Sequence, residues 1–375
     1  MTMKTRVLVA MSGGVDSSVA AAMLVREGYD VVGATMKLYR DGAEVPDKPC
    51  CSLDSVNDAR RICERIGIPH YVLNLESAFG HDVVDDFVSE YARGRTPIPC
   101  VRCNTFTKFR DLVTKADAID AQFVATGHYA RIIDGALHRG ADDRKDQTYY
   151  LWGIDRGVLP RTLLPVGEMT KAETRALATE LGLTLVANKP ESMDICFVPD
   201  GNYAKILTEK LGADAPSLSP GPLVTSDGRV VGMHDGFARY TIGQRRGLPG
   251  GYDEPMFVIA IHADERAVVI GPREELLGRG VVARGINWLV DPVPTVGDRV
   301  GVRVRHRSPI APAEIIRIDG DEIELALDEP VSAIAPGQSL VLFDGTRVLG
   351  GGFIESSRPA HARRAPRAPL PVLAG

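Results

Sequence analysis

Residues 6–18 read Arg6-Val-Leu-Val-Ala-Met-Ser-Gly-Gly-Val-Asp-Ser-Ser18, an apolar run followed by two glycines and a polar turn. The run from Val7 to Met11 predicts a buried strand, and the Ala-rich stretch from Ser17 to Glu27 predicts a helix that stops at Gly28. A glycine turn between a strand and a helix presents backbone N–H groups at the positive end of the helix, where a phosphate chain binds. The stretch therefore predicts a nucleotide-binding strand–loop–helix unit.

This loop differs from the two commonest nucleotide fingerprints. It has no Gly-Lys-Ser/Thr, which excludes a Walker A loop, and no GxGxxG, which excludes a dinucleotide fingerprint. The hydroxyls of Ser12, Ser17 and Ser18 could donate to phosphate, and Asp16 could help to hold a magnesium ion. An ordinary strand–turn–helix corner is the structural alternative.

Short apolar runs alternate with helical patterns through about residue 185, which predicts an α/β domain with a doubly wound parallel sheet. The other predicted elements are strands at Val31–Met36, Tyr71–Leu75 and Phe123–Thr126 and helices at Asp54–Ile66, Asp82–Tyr91, Thr105–Ala116 and Lys171–Leu181. Thr170, with Glu173 three residues later, predicts a capping box for the last helix.

After about residue 215, proline and glycine become dense and helical patterns largely vanish. Short alternating strands in the last part predict a small β-barrel. The predicted division is a catalytic domain at 1–204, a small mixed module at 205–279, a C-terminal β-barrel at 280–357 and a disordered tail at 358–375.

The composition is that of an ordinary globular chain of 375 residues, 44% hydrophobic and 25% charged. No apolar run approaches the roughly 20 residues of a membrane helix, and the first residues run directly into the first strand, so we expect a cytoplasmic protein without a signal peptide. We then expect the six cysteines to be reduced, catalytic or metal-binding rather than structural disulfides. The net charge of −5 argues against a wholly basic nucleic-acid binder, although a local basic face remains compatible with it.

Two cysteines lie in proline-containing loops. Cys103 ends the sequence Gly94-Arg-Thr-Pro-Ile-Pro-Cys-Val-Arg-Cys103, just before a predicted helix, where the helix end and Arg102 would lower the pKa of its thiol. Cys196 lies in the second loop, within Lys189-Pro-Glu-Ser-Met-Asp-Ile-Cys-Phe197. For the remaining cysteines Cys50, Cys51 and Cys63, a packing or loop role is the expectation, since they lack a second ligand pair at zinc-finger spacing.

Several motifs together resemble a known family. The loop Ser-Gly-Gly-Val-Asp-Ser17 resembles that of the PP-loop ATP pyrophosphatases, which split ATP between the α- and β-phosphates. The further motifs are Gly94-Arg-Thr-Pro, Cys103-Asn104, Ala125-Thr-Gly-His-Tyr-Ala130, Lys145-Asp-Gln147, Ser192-Met-Asp-Ile-Cys-Phe197 and Tyr240-Thr-Ile-Gly-Gln-Arg-Arg-Gly247. With the loop, they resemble the bacterial tRNA-specific 2-thiouridylases over nearly all of residues 5 to 355.

This resemblance implies an enzyme that adenylates the C2 oxygen of the wobble uridine in certain tRNAs and replaces that oxygen with sulfur. Cys196 matches the cysteine that carries a persulfide, loaded by an upstream sulfur-donor protein. Cys103 matches its partner, which releases the sulfur and ends in a disulfide with Cys196. Partners are thus tRNA and the sulfur donor, and a monomer is expected.

The resemblance also implies the ligand contacts. The residues implied to bind ATP, with Mg²⁺, are Ala10, Met11, Ser12, Gly13, Gly14, Val15, Asp16, Ser17, Met36 and Gly127. The residues implied to contact tRNA are His128, Lys145, Asp146, Gln147, Arg305, His306 and Gln338. Without the resemblance, other roles are more common for these residue types. Met36 would be a core residue, His128 a surface or core histidine with its hydrogen bonds satisfied, and Lys145 part of a solvated turn.

A basic strand is predicted near the C-terminal end. The stretch Gly301 to Arg307 alternates with period two, which would place Arg303, Arg305 and Arg307 on one strand face that could track a sugar–phosphate backbone. A charged solvated face is the alternative. Arg239, Arg245 and Arg246 could add to the same surface.

One position departs from the family pattern. Many members have Asn-Pro-Asp where this chain has Ile98-Pro99-Cys100, so an acidic role there is in doubt. Cys100 and Cys103 instead form a C-x-x-C pair, which can be redox-active or bind a metal. With Cys196, three thiolates could hold an iron–sulfur cluster, a hypothesis left open by the sequence.

Two other functions remain as alternatives. A PP-loop ligase using ammonia would not need Cys103 or Cys196. A non-catalytic tRNA-binding or sulfur-relay protein would bind tRNA without consuming ATP.

Overall fold

The computed structural model describes residues 4–38, 53–189, 195–198 and 201–360. The predictions for Cys50 and Cys51, the residues Ser192 to Asp194 and the tail beyond Ala360 lie outside the described residues. Within the described part of the chain, no helix is long and apolar enough to cross a membrane.

The strands and helices follow the chain in three regions. The strands are β1 (Arg6–Ala10), β2 (Asp30–Lys37), β3 (His70–Asn74), β4 (Phe123–Ala125), β5 (Ala130–Ile133), β6 (Ala136–Arg139), β7 (Thr162–Leu163), β8 (Gly221–Thr225), β9 (Val230–His234), β10 (Phe257–His262), β11 (Ala267–Gly271), β12 (Leu277–Trp288), β13 (Arg299–Arg303), β14 (Ala311–Asp319), β15 (Glu322–Ser332), β16 (Ser339–Asp344) and β17 (Arg347–Pro359). The α-helices are α1 (Val15–Arg26), α2 (Leu53–Ile66), α3 (Glu76–Phe79), α4 (Asp86–Ala92), α5 (Pro99–Arg102), α6 (Asp111–Asp117), α7 (Lys171–Glu180), α8 (Thr184–Ala187) and α9 (Tyr203–Leu211). Two π-helical segments, Gly80–Asp85 and Cys103–Arg110, join α3 to α4 and α5 to α6.

The first region is built on a parallel sheet with the strand order β3-β2-β1-β4-β7. Its central strand β1 is nearly continuous in apolar residues because both faces are covered. Helix α1 buries Val19, Leu24 and a run of alanines, whose small side chains let it pack closely on the sheet. The predicted doubly wound sheet is confirmed.

Helix α7 begins as the sequence predicts. The Thr170 side chain accepts from the backbone N–H of Glu173, and the Glu173 carboxylate accepts from the backbone N–H of Thr170. This capping box satisfies N–H groups that the first helical turn leaves without partners.

The second region is a four-stranded sheet of order β10-β11-β8-β9. Strands β8 and β11 pair in parallel, and the other two pairings are antiparallel. Phe237, Val258 and Ile270 form its buried core.

The third region is a closed antiparallel barrel. Its strand order is β12-β15-β14-β13-β16-β17, and the pairing of β12 with β17 closes it. The predicted barrel is confirmed. The hairpin β5–β6 from the first region extends its sheet, since Arg347 of β17 pairs with His138 of β6. This pairing joins the first region directly to the barrel.

Candidate active site

The predicted ATP-binding residues 10–17 span the end of β1, the turn 11–14 and the start of α1, and Thr126-Gly127-His128 follows the neighbouring β4. Strand β2 lies on the other side of β1, so the order of the strands reverses between β1 and β4. In open α/β sheets, ligands bind in the crevice at the carboxyl ends of the strands where the order reverses. The predicted ATP-binding loop thus lies where this fold class binds its ligands.

The glycines of this loop have separate steric roles. Gly13 has φ +68°, and a Cβ there would lie 2.3 Å from the backbone oxygen of Ser55. Only glycine combines this left-handed conformation with so close an approach. Gly14 is the N-cap of α1 and has no side chain to cap the helix, which leaves its first N–H groups facing the loop.

The serine hydroxyls stabilise the loop from within. The Ser17 hydroxyl accepts from the backbone N–H of Ser12 at 3.2 Å and lies 3.1 Å from the Ser12 hydroxyl. The Ser18 hydroxyl is buried and donates to the carbonyl of Gly14 at 2.8 Å. Ser18 therefore supports the loop, whereas Ser12 is exposed.

Asp16 is held by two neighbours. Lys171 Nζ lies 2.7 and 2.8 Å from its two carboxylate oxygens, and the Tyr129 hydroxyl donates to it at 2.8 Å. Lys171 was not among the sequence candidates. The sequence does contain a hint of its role. A lysine in the first turn of α7 is unfavourable for the helix dipole, which indicates that Lys171 is needed there for a contact outside the helix.

A second lysine contacts the loop from outside. Lys189 Nζ donates to the carbonyl of Gly13 at 3.1 Å and to the Asp58 carboxylate at 2.9 Å. Sequence reasoning missed this residue too. The arrangement places two cations, Lys171 and Lys189, beside a loop suited to bind a polyphosphate.

Gly127 packs tightly against the start of α1. A Cβ there would lie 2.5 Å from the backbone nitrogen of Ser17 and 2.6 Å from the backbone carbon of Asp16. The residue is therefore needed for close packing between the two loops, independently of any contact with ATP. Met36, another residue implied to bind ATP, lies near the end of β2, is 7% exposed and belongs to the hydrophobic core.

His128 is buried behind this crevice. Its Nδ1 lies 2.7 Å from the Thr126 hydroxyl, and its ring stacks on Phe109 with centroids 6.2 Å apart. Burial, with the nearby charge of Lys108, holds the pKa of His128 well below its ordinary value. The imidazole is thus neutral at pH 7, and it links the predicted ATP-binding loop to the helical segment that carries Cys103.

Cys103 is not in a loop before a helix, and that prediction is wrong. Helix α5 starts at Pro99 and continues directly into the π-helical segment Cys103–Arg110, because proline is well suited to the first turn of a helix. Cys103 is buried within this helical run, and the exposed Cys100 instead occupies the first turn. Arg102 pairs with Asp86 at 2.8 Å.

The segments of the two candidate cysteines pack on the same helix. Arg102, next to Cys103, binds Asp86 of α4, while Phe197, next to Cys196, packs edge-on against Phe87 with ring centroids 5.0 Å apart. Cys103 belongs to the hydrophobic core around α4, and Cys196 packs against that core. The fold thus brings two segments that are 93 positions apart to neighbouring residues of one helix.

The donor set does not fit a metal cluster. Over the residues that the structure describes, no group of three or more His, Cys, Asp or Glu side chains could hold a metal ion. Cys100, Cys103 and Cys196 therefore do not form the ligand set of an iron–sulfur cluster, and we derive no step through one. Cys63 is fully buried in a different core, where burial, with Glu64 nearby, raises the pKa of its thiol to about 12, as its packing role predicts.

Two implied tRNA contacts serve the interior. Asp146 is 4% exposed and pairs with the buried Arg303 at 2.8 Å. Gln147 accepts from the backbone N–H of Tyr129 at 2.9 Å, and the half-buried Lys145 lies in the preceding turn. Of these three neighbours, Asp146 is the one that pairs with a barrel residue, and it is buried where the hairpin β5–β6 meets the barrel.

The predicted strand with three arginines on one face is wrong. Strand β13 ends at Arg303, and residues 305–308 form a turn in which Ser308 donates to the carbonyl of Arg305 at 3.1 Å. Arg303 is buried, whereas Arg305 and Arg307 are exposed. The period-two prediction is wrong because the strand ends before Arg305. Arg303 is buried because it pairs with the buried Asp146, a distant partner that the local sequence does not reveal.

The remaining candidates lie on the barrel and the central module. His306 packs against Tyr150 with ring centroids 4.7 Å apart and a tilted geometry. Burial, together with the charges of Arg307 and Arg303, lowers the pKa of His306. Gln338 is half-buried and donates to backbone carbonyls of the loop before α5. Arg239, Arg245 and Arg246 of the central module are all exposed.

Comparison with known proteins agrees with this architecture. Three family models match in succession: a tRNA methyl transferase HUP domain over residues 5–200, a tRNA methyl transferase PRC-barrel domain over 211–272 and an aminomethyltransferase β-barrel domain over 278–354. Among full-length relatives, the tRNA-specific 2-thiouridylase MnmA of Rhodospirillum centenum is 48% identical, with 99% of this chain and 96% of the relative covered. The proteins of the same name from Halothermothrix orenii and Hyphomonas neptunium are 44% and 47% identical, covering 94% and 96% of this chain and 99% and 93% of the relatives. Because these relatives match nearly end to end, this chain belongs to the tRNA-specific 2-thiouridylase family.

Proposed function

We propose that this chain is an ATP-dependent enzyme that replaces the C2 oxygen of the wobble uridine of tRNA with sulfur. The observation that carries the proposal is the continuous packing from the ATP loop to the two cysteine segments. Gly127 packs on the loop, its neighbour His128 stacks on Phe109, and Phe109 belongs to the same π-helical segment as Cys103. Cys196 reaches this region through Phe197 and helix α4.

The first half of the reaction uses the ATP loop. The uridine C2 oxygen attacks the α-phosphorus, the bond to the β-phosphate oxygen breaks, and pyrophosphate leaves. The N–H groups at the start of α1, with Lys171 and Lys189, would hold the phosphate chain. Asp16 would hold Mg²⁺, which favours one or two carboxylates plus phosphate oxygens and would supply charge neutralisation there.

The second half uses the two thiols. Cys196 carries a persulfide received from a donor protein, and the Cys103 thiolate attacks the Sγ atom of Cys196. The terminal sulfur leaves as a sulfide equivalent, bonds to C2 of the uridine and displaces AMP with the former oxygen. The two cysteines end as a disulfide, so a dithiol reductant is needed for the next turnover.

The exposed arginines of the barrel and the central module would bind the tRNA backbone. Arg305, Arg307 and Arg245 lie on the surface and can neutralise phosphates. A chain with net charge −5 can still bind RNA through such local patches.

Mass spectrometry of tRNA nucleosides after incubation with ATP, Mg²⁺ and a persulfide source tests the proposal. Wild-type enzyme should form 2-thiouridine with AMP and pyrophosphate, and Cys196→Ser should form none while binding tRNA normally. Cys63→Ala is the matched control, because Cys63 lies in a different core and should be dispensable. Release of AMP and pyrophosphate that survives replacement of Cys103 and Cys196, without any 2-thiouridine in the wild-type reaction, would favour an ammonia-using ligase. The absence of AMP and pyrophosphate would favour a non-catalytic tRNA binder.

A further inference from the structure

The segment Gly94–Ile98 joins α4 to α5 and so precedes the helical run that contains Cys103. Its first part is tied to its own domain, since the N–H groups of Gly94 and Arg95 donate to carbonyls of α4 at 3.0 and 2.9 Å. Its second part makes its backbone hydrogen bonds with the barrel instead. The N–H of Thr96 donates to the carbonyl of Pro336 at 2.8 Å.

Gln338 of the barrel binds the same peptide. Its Nε2 atom donates to the carbonyl of Thr96 at 3.1 Å and to the carbonyl of Pro97 at 3.2 Å. The Oε1 atom lies 3.5 Å from the Tyr149 hydroxyl. Because both acceptors are carbonyl oxygens, the orientation of the amide is unambiguous, and both of its N–H groups are used within the chain.

Two further contacts fit this surface to the segment. A Cβ on Gly337, which has φ +89°, would lie 2.7 Å from the backbone oxygen of Thr96, so the turn and the segment are in close contact. Arg95 binds Glu90 of α4 at 2.7 Å and Glu355 of β17 at 2.6 Å. The loop is therefore held between α4 and the barrel on both sides of Thr96.

We propose that Gln338 is a positioning residue: it holds the peptide 96–97 and thereby sets the start of the helix that presents Cys103. The proposal rests on the proposed function for the role of Cys103, and it differs from the tRNA contact that family resemblance implies for Gln338. Pro97 is six positions from Cys103, and α5 begins only two positions after Pro97. A shift of this peptide therefore moves the first turn of the helix and the buried thiol behind it.

Alkylation of the protein without tRNA or ATP gives a direct readout. Gln338→Glu places carboxylate oxygens against two carbonyl oxygens, so the peptide should move and Cys103 should react with iodoacetamide about tenfold faster, the effect of losing two ordinary hydrogen bonds. Trypsin cleaves after Arg102, which separates Cys100 from Cys103 for mass spectrometry. Cys63, buried in another core, should react at the wild-type rate and serves as the internal reference.

A second pair of variants tests the same contact from the other side. Gly337→Ala pushes on the Thr96 carbonyl and should also expose Cys103 selectively. Gly345→Ala is the matched control, since Gly345 also has positive φ, +56°, but nothing lies within 4 Å of its added Cβ. In thiolation assays, Gln338→Glu should lower kcat about tenfold and leave KM for tRNA within about twofold of wild type, since the loss is one of positioning.

Unchanged Cys103 alkylation together with a raised KM for tRNA would make Gln338 a tRNA contact and overturn the proposal. Equal acceleration at Cys63 and Cys103 would overturn it too, since that indicates general loosening. If Cys103 proved dispensable for thiolation, the proposed function would be refuted instead. The alkylation result would still report whether Gln338 positions Cys103, because that assay contains neither tRNA nor ATP.

Discussion

Gly127→Ala isolates the packing between the two loops that meet at the crevice. The added Cβ would lie 2.5 Å from the Ser17 nitrogen, 0.9 Å short of the 3.4 Å at which ordinary contact begins, and 2.9 Å from the Asp16 backbone oxygen. All the neighbours are backbone atoms of the first turn of α1, so they cannot rotate away as a side chain could. We expect the free energy of unfolding to fall by about 1–3 kcal/mol, as for other overpacked sites. Because the same turn carries the N–H groups for phosphate, a displacement near 1 Å should lower kcat/KM for ATP by roughly 100-fold.

Urea denaturation and ATP titration of tRNA-dependent pyrophosphate release measure the two effects. Gly80→Ala is the matched control, because a Cβ there meets nothing within 4 Å and the residue lies in a helical segment at φ −56°. That variant should be neutral or slightly more stable. The reasoning is refuted if Gly127→Ala uses ATP within twofold of wild type and unfolds at the same urea concentration.

Three other perturbations have expected outcomes. Arg305→Ala should weaken tRNA binding and reduce the slope of log affinity against log salt by roughly 0.7–0.9, whereas Arg305→Lys should keep it; an unchanged slope in binding titrations would place Arg305 away from phosphate. The lowered pKa of His128, caused by burial and by Lys108, means that the unfolded chain binds the extra proton. The free energy of unfolding is therefore not reduced by His128 above the unfolded pKa of about 6.5. Below that pH it falls by up to about 1.4 kcal/mol per pH unit. Urea denaturation from pH 7 to 5 should show this fall in the wild type relative to His128→Gln, and parallel curves would contradict it. Arg303→Met leaves the buried Asp146 carboxylate without its closest cation and should cost about 3–5 kcal/mol, with part recovered when Asp146→Asn is added; a loss below 1 kcal/mol in urea denaturation would show that the pair is not coupled to folding.

Local patterns in the chain were sufficient for much of the fold. The apolar run before Gly13 and Gly14 identified β1 and the loop, because the strand and the glycine conformation are local properties. The capping box at Thr170 likewise depends on residues three positions apart, and it is present. The barrel was predictable from dense turn residues between short alternating strands.

Predictions failed where a distant partner decides the role of a residue. Arg303 looked like part of an exposed basic face, yet it binds Asp146, 157 positions away. The prediction that Cys103 lies in a loop failed for a local reason instead, because Pro99 occupies the first turn of a helix that runs through Cys103. The sequence did not predict that Lys171 and Lys189 lie at the nucleotide-binding loop, because their contacts with Asp16 and Gly13 span 155 and 176 positions.

The short-range code of this chain thus specifies its strands, its phosphate-binding turn and its family motifs, since each depends on neighbours along the backbone. Tertiary structure alone decides which polar groups stay exposed and which segments meet. It buries Arg303 against Asp146 and packs the neighbours of Cys103 and Cys196 onto α4. The physical reason is that desolvation and packing depend on contacts between residues far apart in sequence, and no local pattern records which distant residue will supply the partner.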